Sequence, residues 1–254
     1  MDDEGLLRLA ADLAHQAGAA ILAVRARGFD VLRKEDRSPV TEADRAAEAI
    51  IVAGLRRALP DIPVVAEEEV SAGSRIGASA CYWLVDPLDG TREFTAGRDE
   101  FTVNIGLVRD GRPVLGVVGI PAYGEMFGGI VGARAWRRDG AGERTIAARH
   151  PPPEGLAVMA SRHYATDPRI AAYLAGRTIG SITNIGSAVK FCRVAEGVAD
   201  LYPRFGRTME WDTAAPQAVL EAAGGRVLTL EGGEALRYGK PDWANPPFVC
   251  TGLP

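Results

Sequence analysis

Two acidic clusters each follow a short apolar run: Glu67-Glu68-Glu69 after Val64-Val65-Ala66, and Asp86-Pro87-Leu88-Asp89 after Tyr82-Trp83-Leu84-Val85. Apolar runs of this length predict buried strands, and strand ends place short side chains at the rim of a sheet, where sites form. Pro87 stiffens the chain between two carboxylates, so a tight turn there can aim both of them, and an intervening carbonyl, at one point. Glu67 can add a third carboxylate and Asp212 a fourth. His15, His150 and His163 are scattered and the three cysteines are unclustered, so only oxygen ligands are on offer. Such donors suit Mg²⁺ or Mn²⁺ rather than zinc. Gly90-Thr91 follows directly. A glycine lets the backbone approach a phosphate, the N–H groups after it can hold phosphate oxygens, and the Thr91 hydroxyl can orient a water. Metals sharing these carboxylates would support hydrolysis of a phosphate ester. A blander reading competes at each position, since Asp-Pro and Asp-Gly are common turn pairs and glutamate runs often only solvate a surface.

The elements that must position these groups are legible in part. Leu6, Ala10, Leu13, Ala17, Ile21 and Val24 recur at helical spacing and predict an N-terminal amphipathic helix. Thr41 reads as the N-cap of a second helix running towards Pro60. Strands are predicted over 64–66, 82–85, 101–107, 113–120, 125–130 and 133–137, with a turn at Asp110-Gly111. The Gly-, Pro- and Arg-rich segment 139–153 is the best place for a boundary, giving halves 1–145 and 146–254 within one catalytic unit. Beyond it, strands over 158–160, 199–202, 226–230 and 248–251 alternate with helices over 167–174, 187–196 and 213–223. An antiparallel-rich α+β half followed by an α/β half is the expected class.

The chain has 254 residues, 47% hydrophobic and 24% charged, ordinary for a globular protein with a core of its own. A formal charge of −4 argues against coating a nucleic acid polymer or a polybasic role at a membrane. Cys81, Cys192 and Cys250 form no pair motif and read as reduced core thiols. No apolar run approaches the roughly 18 residues of a membrane span, and the N-terminus lacks a basic, then apolar, leader. A cytoplasmic location is the expectation.

Taken in order along the chain, Pro39-Val40-Thr41-Glu42-Ala43-Asp44, Glu67-Glu68, Asp86 to Thr91, Trp211-Asp212-Thr213-Ala214-Ala215 and Glu221 to Gly225 resemble the lithium-sensitive, Mg²⁺-dependent phosphatase superfamily that contains the inositol monophosphatases. The resemblance implies a layered α-β-α-β-α sugar-phosphatase-like fold, with a mixed, antiparallel-rich sheet and a second, smaller one. It implies two or three Mg²⁺ ions, replaceable by Mn²⁺, on Glu67, Asp86, the Leu88 carbonyl, Asp89 and Asp212. It further implies that Thr91, hydrogen-bonded to Asp44, positions and activates the attacking water. As the third residue after Thr41, Asp44 can instead merely complete a capping box. Within the glutamate run Glu67 is chosen as ligand, Glu68 as a group that binds metal through water or supports the ligands, and Glu69 as surface.

A later block, Gly186-Ser187-Ala188-Val189-Lys190-Phe191-Cys192 through Ala199-Asp200-Leu201-Tyr202-Pro203-Arg204, and Glu100 to Asn104, are similar to the bacterial 3′(2′),5′-bisphosphate nucleotidase branch, linked to sulfate assimilation. That similarity implies adenosine 3′,5′-bisphosphate as the small-molecule substrate, cleaved to AMP and phosphate, with its sulfated form a further candidate. A second phosphate calls for cations, which Lys190 and Arg204 can supply, Arg204 through a bidentate fork. Ser187 would lie on the same helical face as Lys190, three residues on, and His163 would contact base or ribose. Lys34 and Arg37 are further cations without an assigned role. Trp211 and Phe191 read as core. Pro216 stands where relatives often carry glycine, and the predicted helix start puts it in a first turn. An inositol-1-phosphatase or related sugar phosphatase is the alternative. A non-catalytic nucleotide-binding regulator is a third reading, opposed by the intact carboxylates with Thr91 and Asp44. Monomer and homodimer both remain open.

Overall fold

The computed structural model describes residues 1–33, 39–75, 77, 79–164 and 166–254, the side chains of Arg33 and Tyr164 excepted. Lys34 and Arg37 lie outside the described residues. Helix α1 (Asp3–Arg27) is capped by the Asp2 carboxylate, which accepts from the Gly5 N–H, and buries the stripe expected of it, from Leu6 to Val24. A small ribbon follows, β1 (Val31–Arg33) against β2 (Pro39–Thr41). Helix α2 (Glu42–Ala58) starts at Thr41 as predicted. Next come β3 (Val64–Ala66), the short helix α3 (Glu67–Ser71), β4 (Cys81–Asp89) and the short helix α4 (Thr91–Thr95). A meander completes the first sheet: β5 (Thr102–Arg109), β6 (Arg112–Ile120), β7 (Glu125–Ile130), β8 (Arg134–Asp139) and β9 (Gly142–Thr145). Its order is β3 to β9 in sequence, antiparallel except for the β3–β4 pair.

The second sheet is built from β10 (Leu156–Ser161), β11 (Ile179–Ile185), β12 (Leu201–Arg204), β13 (Arg226–Thr229) and β14 (Phe248–Thr251), in the order β11-β10-β12-β14-β13. Between these strands run α5 (Pro168–Leu174), α6 (Val189–Ala195) and α7 (Glu210–Ala222). Strand β4 is buried on both faces. Trp83 and Val85 point into a core with α1 and α2, while Tyr82 and Leu84 point into a second core with α6, α7 and the inner face of the second sheet. Val158, Leu201 and Val249 bury the outer face of that sheet under Ile170 and Leu174 of α5. The layers are therefore α1/α2, large sheet, α6/α7, small sheet, α5, the arrangement the resemblance implies.

Several details differ from the sequence reading. Strand β9 falls inside the stretch read as a boundary, and β11 was not foreseen, because its exposed, polar face lacks the apolar alternation that marks a strand. Ser187 is not on a helix: α6 begins at Val189, and Ser187 sits before it in the left-handed region at φ 48°. Helix α7 begins at Glu210 rather than Thr213, because Asp212 caps it, accepting from the Met209 N–H at 2.8 Å. Pro216 accordingly lies in the interior of α7 and not in its first turn, and it supplies no N–H to the Asp212 carbonyl one turn back.

Candidate active site

The carboxylate motif is a bulge at the end of β4. Asp86 pairs with Asn104 and Asp89 with Thr102, so β4 carries one residue more than β5 between those pairs. Pro87, which cannot donate to a ladder, occupies the irregular stretch. Without the extra residue Asp86 and Leu88 would share a face. With it, Leu88 turns into the core with α1 and α2, and Asp86 and Asp89 share a cleft. The Asp86 carboxylate accepts from the Leu88 N–H at 3.0 Å, which closes the turn. Gly90 then adopts φ 94°, and a Cβ there would stand 3.0 Å from the Glu100 carbonyl, so only glycine fits.

Asp44 makes both of the contacts its position allows. One oxygen accepts from the Thr41 N–H and hydroxyl, each at 2.7 Å, and caps α2. The other accepts from the Thr91 hydroxyl at 3.0 Å. Thr91 Oγ1 also stands 3.1 Å from the Leu88 carbonyl. Burial pushes the Asp44 carboxyl up, and the bonds from Thr41 and Thr91 offset part of that rise.

A cleft of about 500 Å³ opens between the two sheets and is lined by Glu67, Asp86, Leu88, Asp89, Gly90, Thr91, His163, Ser187, Lys190, Arg204 and Asp212. The residues expected to hold metal and substrate thus line one cavity, and Asp44 bonds Thr91 at its edge; Lys34 and Arg37 lie outside the described residues and Glu68 is not part of the lining. Chain segments far apart supply the lining residues: the ends of β3 and β4, the start of α6, the end of β12 and the first turn of α7. Burial first, then repulsion from Glu67, Asp89 and Asp212, raises the Asp86 carboxyl well above its usual range. Asp212 is raised by burial and by Asp89 and Glu67. Burial pushes Asp89 up to about 6, against the pull of Lys190 and of the Ala188 N–H.

Among the described residues, no three His, Cys, Asp or Glu side chains form a ready-made metal cluster. Two of the carboxylates are turned to backbone N–H groups, those of Leu88 and Met209. The mutual repulsion is nevertheless the more telling observation. Carboxylates held together away from water must either bind protons or share a cation, and this donor set of carboxylates plus a carbonyl suits a hard divalent ion.

The basic wall differs from its sequence reading in one respect. Lys190 is 3% exposed, and its ammonium donates to the carbonyls of Ile185 (3.0 Å) and Ser187 (2.6 Å). Burial, with Arg204 nearby, lowers it to about 7. It holds the turn that presents Ser187 and sets a positive charge behind Asp89, rather than reaching into open cleft. Arg204 donates to the Gly206 and Arg207 carbonyls at 3.2 and 3.1 Å. Those bonds fold the segment that also brings Arg207 and Thr208 to the cleft wall. Trp211 and Phe191 are core residues as expected, each with an edge on the cleft.

Several residues at or behind the site went unread. Arg92, Ser161 and Arg207 line it. Asn245 steadies the start of α7, donating to the Met209 carbonyl (2.8 Å) and to Thr213 Oγ1 (3.0 Å). Glu210, fully buried, accepts from the N–H groups of Gly239 and Lys240, both at 2.9 Å. The Glu48 carboxylate accepts from the N–H groups of Glu68 (2.7 Å) and Glu69 (2.9 Å). Of these, Glu48 alone had a sequence signal, its spacing of four from Asp44 on one helix.

The inositol monophosphatase family model matches residues 2–252. The 3′(2′),5′-bisphosphate nucleotidase CysQ of Salmonella typhimurium is 43% identical over 97% of this chain and 99% of its own length. The CysQ of Escherichia coli O157:H7 is 44% identical over 93% of this chain and 95% of its own. Among solved structures, CysQ from Bacteroides thetaiotaomicron, a bacterial member of the same family, superposes with a TM-score of 0.82 at 32% identity, covering 99% of this chain and 98% of that one.

Proposed function

This chain belongs to the inositol monophosphatase family, and we propose that it is a 3′(2′),5′-bisphosphate nucleotidase that releases the 3′-phosphate of adenosine 3′,5′-bisphosphate to leave AMP. The observation that carries this reading is a single cleft lined by both acidic and basic groups. Asp86, Asp89 and Asp212 line it together with Arg204, Arg207 and His163.

The acidic groups would hold Mg²⁺, or Mn²⁺ in its place, through Glu67, Asp86, the Leu88 carbonyl, Asp89 and Asp212. Bound there, two or three divalent cations supply a water of lowered pKa and offset charge on the phosphoryl and leaving oxygens. Thr91 Oγ1, with its hydrogen given to Asp44 or to the Leu88 carbonyl, has lone pairs left to accept a hydrogen bond from the attacking water. Asp44, its carboxyl raised by burial, is suited to take up that proton through Thr91. The water oxygen forms the new bond to phosphorus as the bond to the ribose 3′ oxygen breaks, and the leaving oxygen takes a proton from solvent. Gly90 lets backbone approach the phosphoryl oxygens. Arg204 and Arg207 would bind the 5′-phosphate, and Ser187 and His163 would contact the phosphate or the ribose and base. Lys190 enters as the support of Ser187.

Among the described residues no helix is long and apolar enough to cross a membrane. The proposed substrate is a free small molecule, and the cytoplasm is the proposed location.

A phosphate-release panel tests the reading. It compares adenosine 3′,5′-bisphosphate, its 5′-sulfated form and inositol 1-phosphate, each with and without Mg²⁺ and with Li⁺ added. Mg²⁺-dependent, Li⁺-inhibited release from the bisphosphate is expected. Turnover of inositol phosphate alone would assign the cleft to a sugar phosphatase. Tight nucleotide binding without release under any divalent metal would assign it to a regulator.

A further inference from the structure

Glu67 rides on α3, a helix of five residues with no side-chain cap of its own, since its N-cap is Ala66. A helix start leaves N–H groups unpaired, and alanine cannot satisfy them. Those of Glu68 and Glu69 are satisfied from outside, by the two oxygens of Glu48 on α2, at 2.7 and 2.9 Å. Glu48 is 6% exposed and touches the cleft nowhere. It is also an unfavourable place for a carboxylate: burial pushes it up to about 7, with Glu68 and Glu69 adding repulsion.

The arrangement does something a local cap cannot. Asp44 and Glu48 are one helical turn apart on α2 and share a face. Asp44 grips Thr91 at the start of α4, and Glu48 grips the start of α3. One rigid helix therefore sets the spacing between Glu67, which leaves β3, and Thr91, which leaves β4. We infer that Glu48 is a positioning residue of the reaction: by capping α3 from α2 it holds the Glu67 carboxylate in register with Asp86, Asp89 and Thr91. The inference rests on the proposed metal-binding role of Glu67 and goes beyond it. Arg56, further along α2, also holds α3, but through the exposed carboxylate of Glu69 at 2.8 and 2.7 Å, so it touches the side of the helix and not its start.

The test is direct Mn²⁺ binding by the purified chain, without substrate, followed by electron paramagnetic resonance of the free ion. It is paired with thermal melting and with phosphate release titrated against Mg²⁺. In Glu48→Gln the side chain keeps its size, but an amide NH₂ must face one of the two N–H groups. Mn²⁺ affinity should fall by about tenfold or more, the range typical of an outer partner of a metal ligand, and the Mg²⁺ needed for half-maximal rate should rise in step. KM for the bisphosphate at saturating Mg²⁺ should stay within about twofold, because uniform substrate binding is untouched. Glu48→Asp, which keeps both oxygens, should recover part of the loss, and it serves as the folded variant should the amide prove unstable. Arg56→Met, which removes an exposed ion pair, should leave Mn²⁺ affinity within about twofold.

Unchanged Mn²⁺ affinity in Glu48→Gln and Glu48→Asp, with or without a lower melting temperature, would reduce Glu48 to packing and overturn the inference. An equal loss in Arg56→Met would also overturn it, by showing that any loosening of α3 suffices. Glu67→Gln separates this failure from that of the underlying reading. If it weakens Mn²⁺ binding while the Glu48 variants do not, only the inference falls. If Glu67→Gln binds Mn²⁺ normally, Glu67 is no ligand and both fall.

Discussion

Asp89 is where the two halves of the chain meet in one carboxylate. It leaves β4 and is drawn down by Lys190 of α6 and by the Ala188 N–H just before that helix. Asparagine keeps its shape, but it removes a charge that folding forces into unfavourable surroundings. Asp89→Asn should therefore lower phosphate release by more than about 100-fold, beyond what loss of a merely supporting partner costs, while the metal-free melting temperature holds or rises. A fall of both together in a kinetic assay and a melt would make Asp89 structural instead. Arg204 presents a different balance. Two of its donors fold the turn to Arg207, so its charge faces the cleft while its geometry is fixed from behind. Replacing it with glutamate sets a like charge against the second phosphate. KM for adenosine 3′,5′-bisphosphate should rise at least about tenfold, roughly 1.4 kcal/mol of binding, with a smaller change in kcat. An unchanged KM in a steady-state titration would make Arg204 a bystander.

At the scale of elements, Asp212 depends on how closely α7 can lie on the large sheet. Strands β5 and β6 present Gly106 and Gly116 where α7 crosses. A Cβ at Gly116 would stand 2.4 Å from the Ala215 carbonyl oxygen, and one at Gly106 2.6 Å from the Ala215 nitrogen. Both obstacles are backbone, so neither can swing aside. Gly116→Ala should cost about 1–3 kcal/mol as overpacking, seen as a lower melting temperature, and should also weaken Mn²⁺ binding by displacing the first turn of α7. Lost stability with intact metal affinity would show that α7 tilts about Asp212 rather than carrying it away. Nothing in the sequence announces this contact, because a strand glycine says that something comes close but not what. The same limit explains the other misses. The cap at Asp212 is hidden in the sequence because Met209 is no usual N-cap, so the pattern alone puts the start of α7 late and Pro216 in its first turn. Ser187 read as helix because only the Lys190 ammonium, folded back onto its carbonyl, reveals the left-handed turn. Where local chemistry decides, as at Thr41 with Asp44 or at Asp86 to Thr91, the residues were readable. Where a partner arrives from a distant segment, as Asn245 does for Met209 and Glu48 for Glu68, they were not.

Across the whole molecule, the cleft lies between the sheets, so folding without metal must bring Asp86, Asp89 and Asp212 together against their repulsion. The sign of the pH dependence follows. Asp89 has a folded pKa of about 6, against about 4 for an unperturbed aspartate. Asp86 and Asp212 are raised as well. Between those values the folded chain binds more protons than the unfolded one, so stability falls as pH rises. The stabilising contribution is complete below about pH 4 and is lost as pH climbs through 6, worth on the order of 2 kcal/mol for Asp89 alone. Exposed acids at the surface pull the other way. Arg109 holds Asp3 low, Arg134 holds Glu4 low and Arg138 holds Glu143 low, but they titrate below the ordinary carboxylate range and their ion pairs are solvent-screened. Between pH 5.5 and 7 those surface acids stay ionised; Glu48, pushed up to about 7, adds to the fall, and Lys190, lowered to about 7, opposes it chiefly above that pH. In that window the metal-free chain should melt at progressively lower temperature as pH rises. Mg²⁺ should reverse the trend, stabilising more at pH 7 than at pH 5.5, because cation and protons compete for the same oxygens. Scanning calorimetry with chelator and with excess Mg²⁺ measures both slopes. A metal-free melting temperature that rises with pH, or a Mg²⁺ increment that does not grow with it, would mean that the carboxylates are not the repelling cluster that this cleft requires.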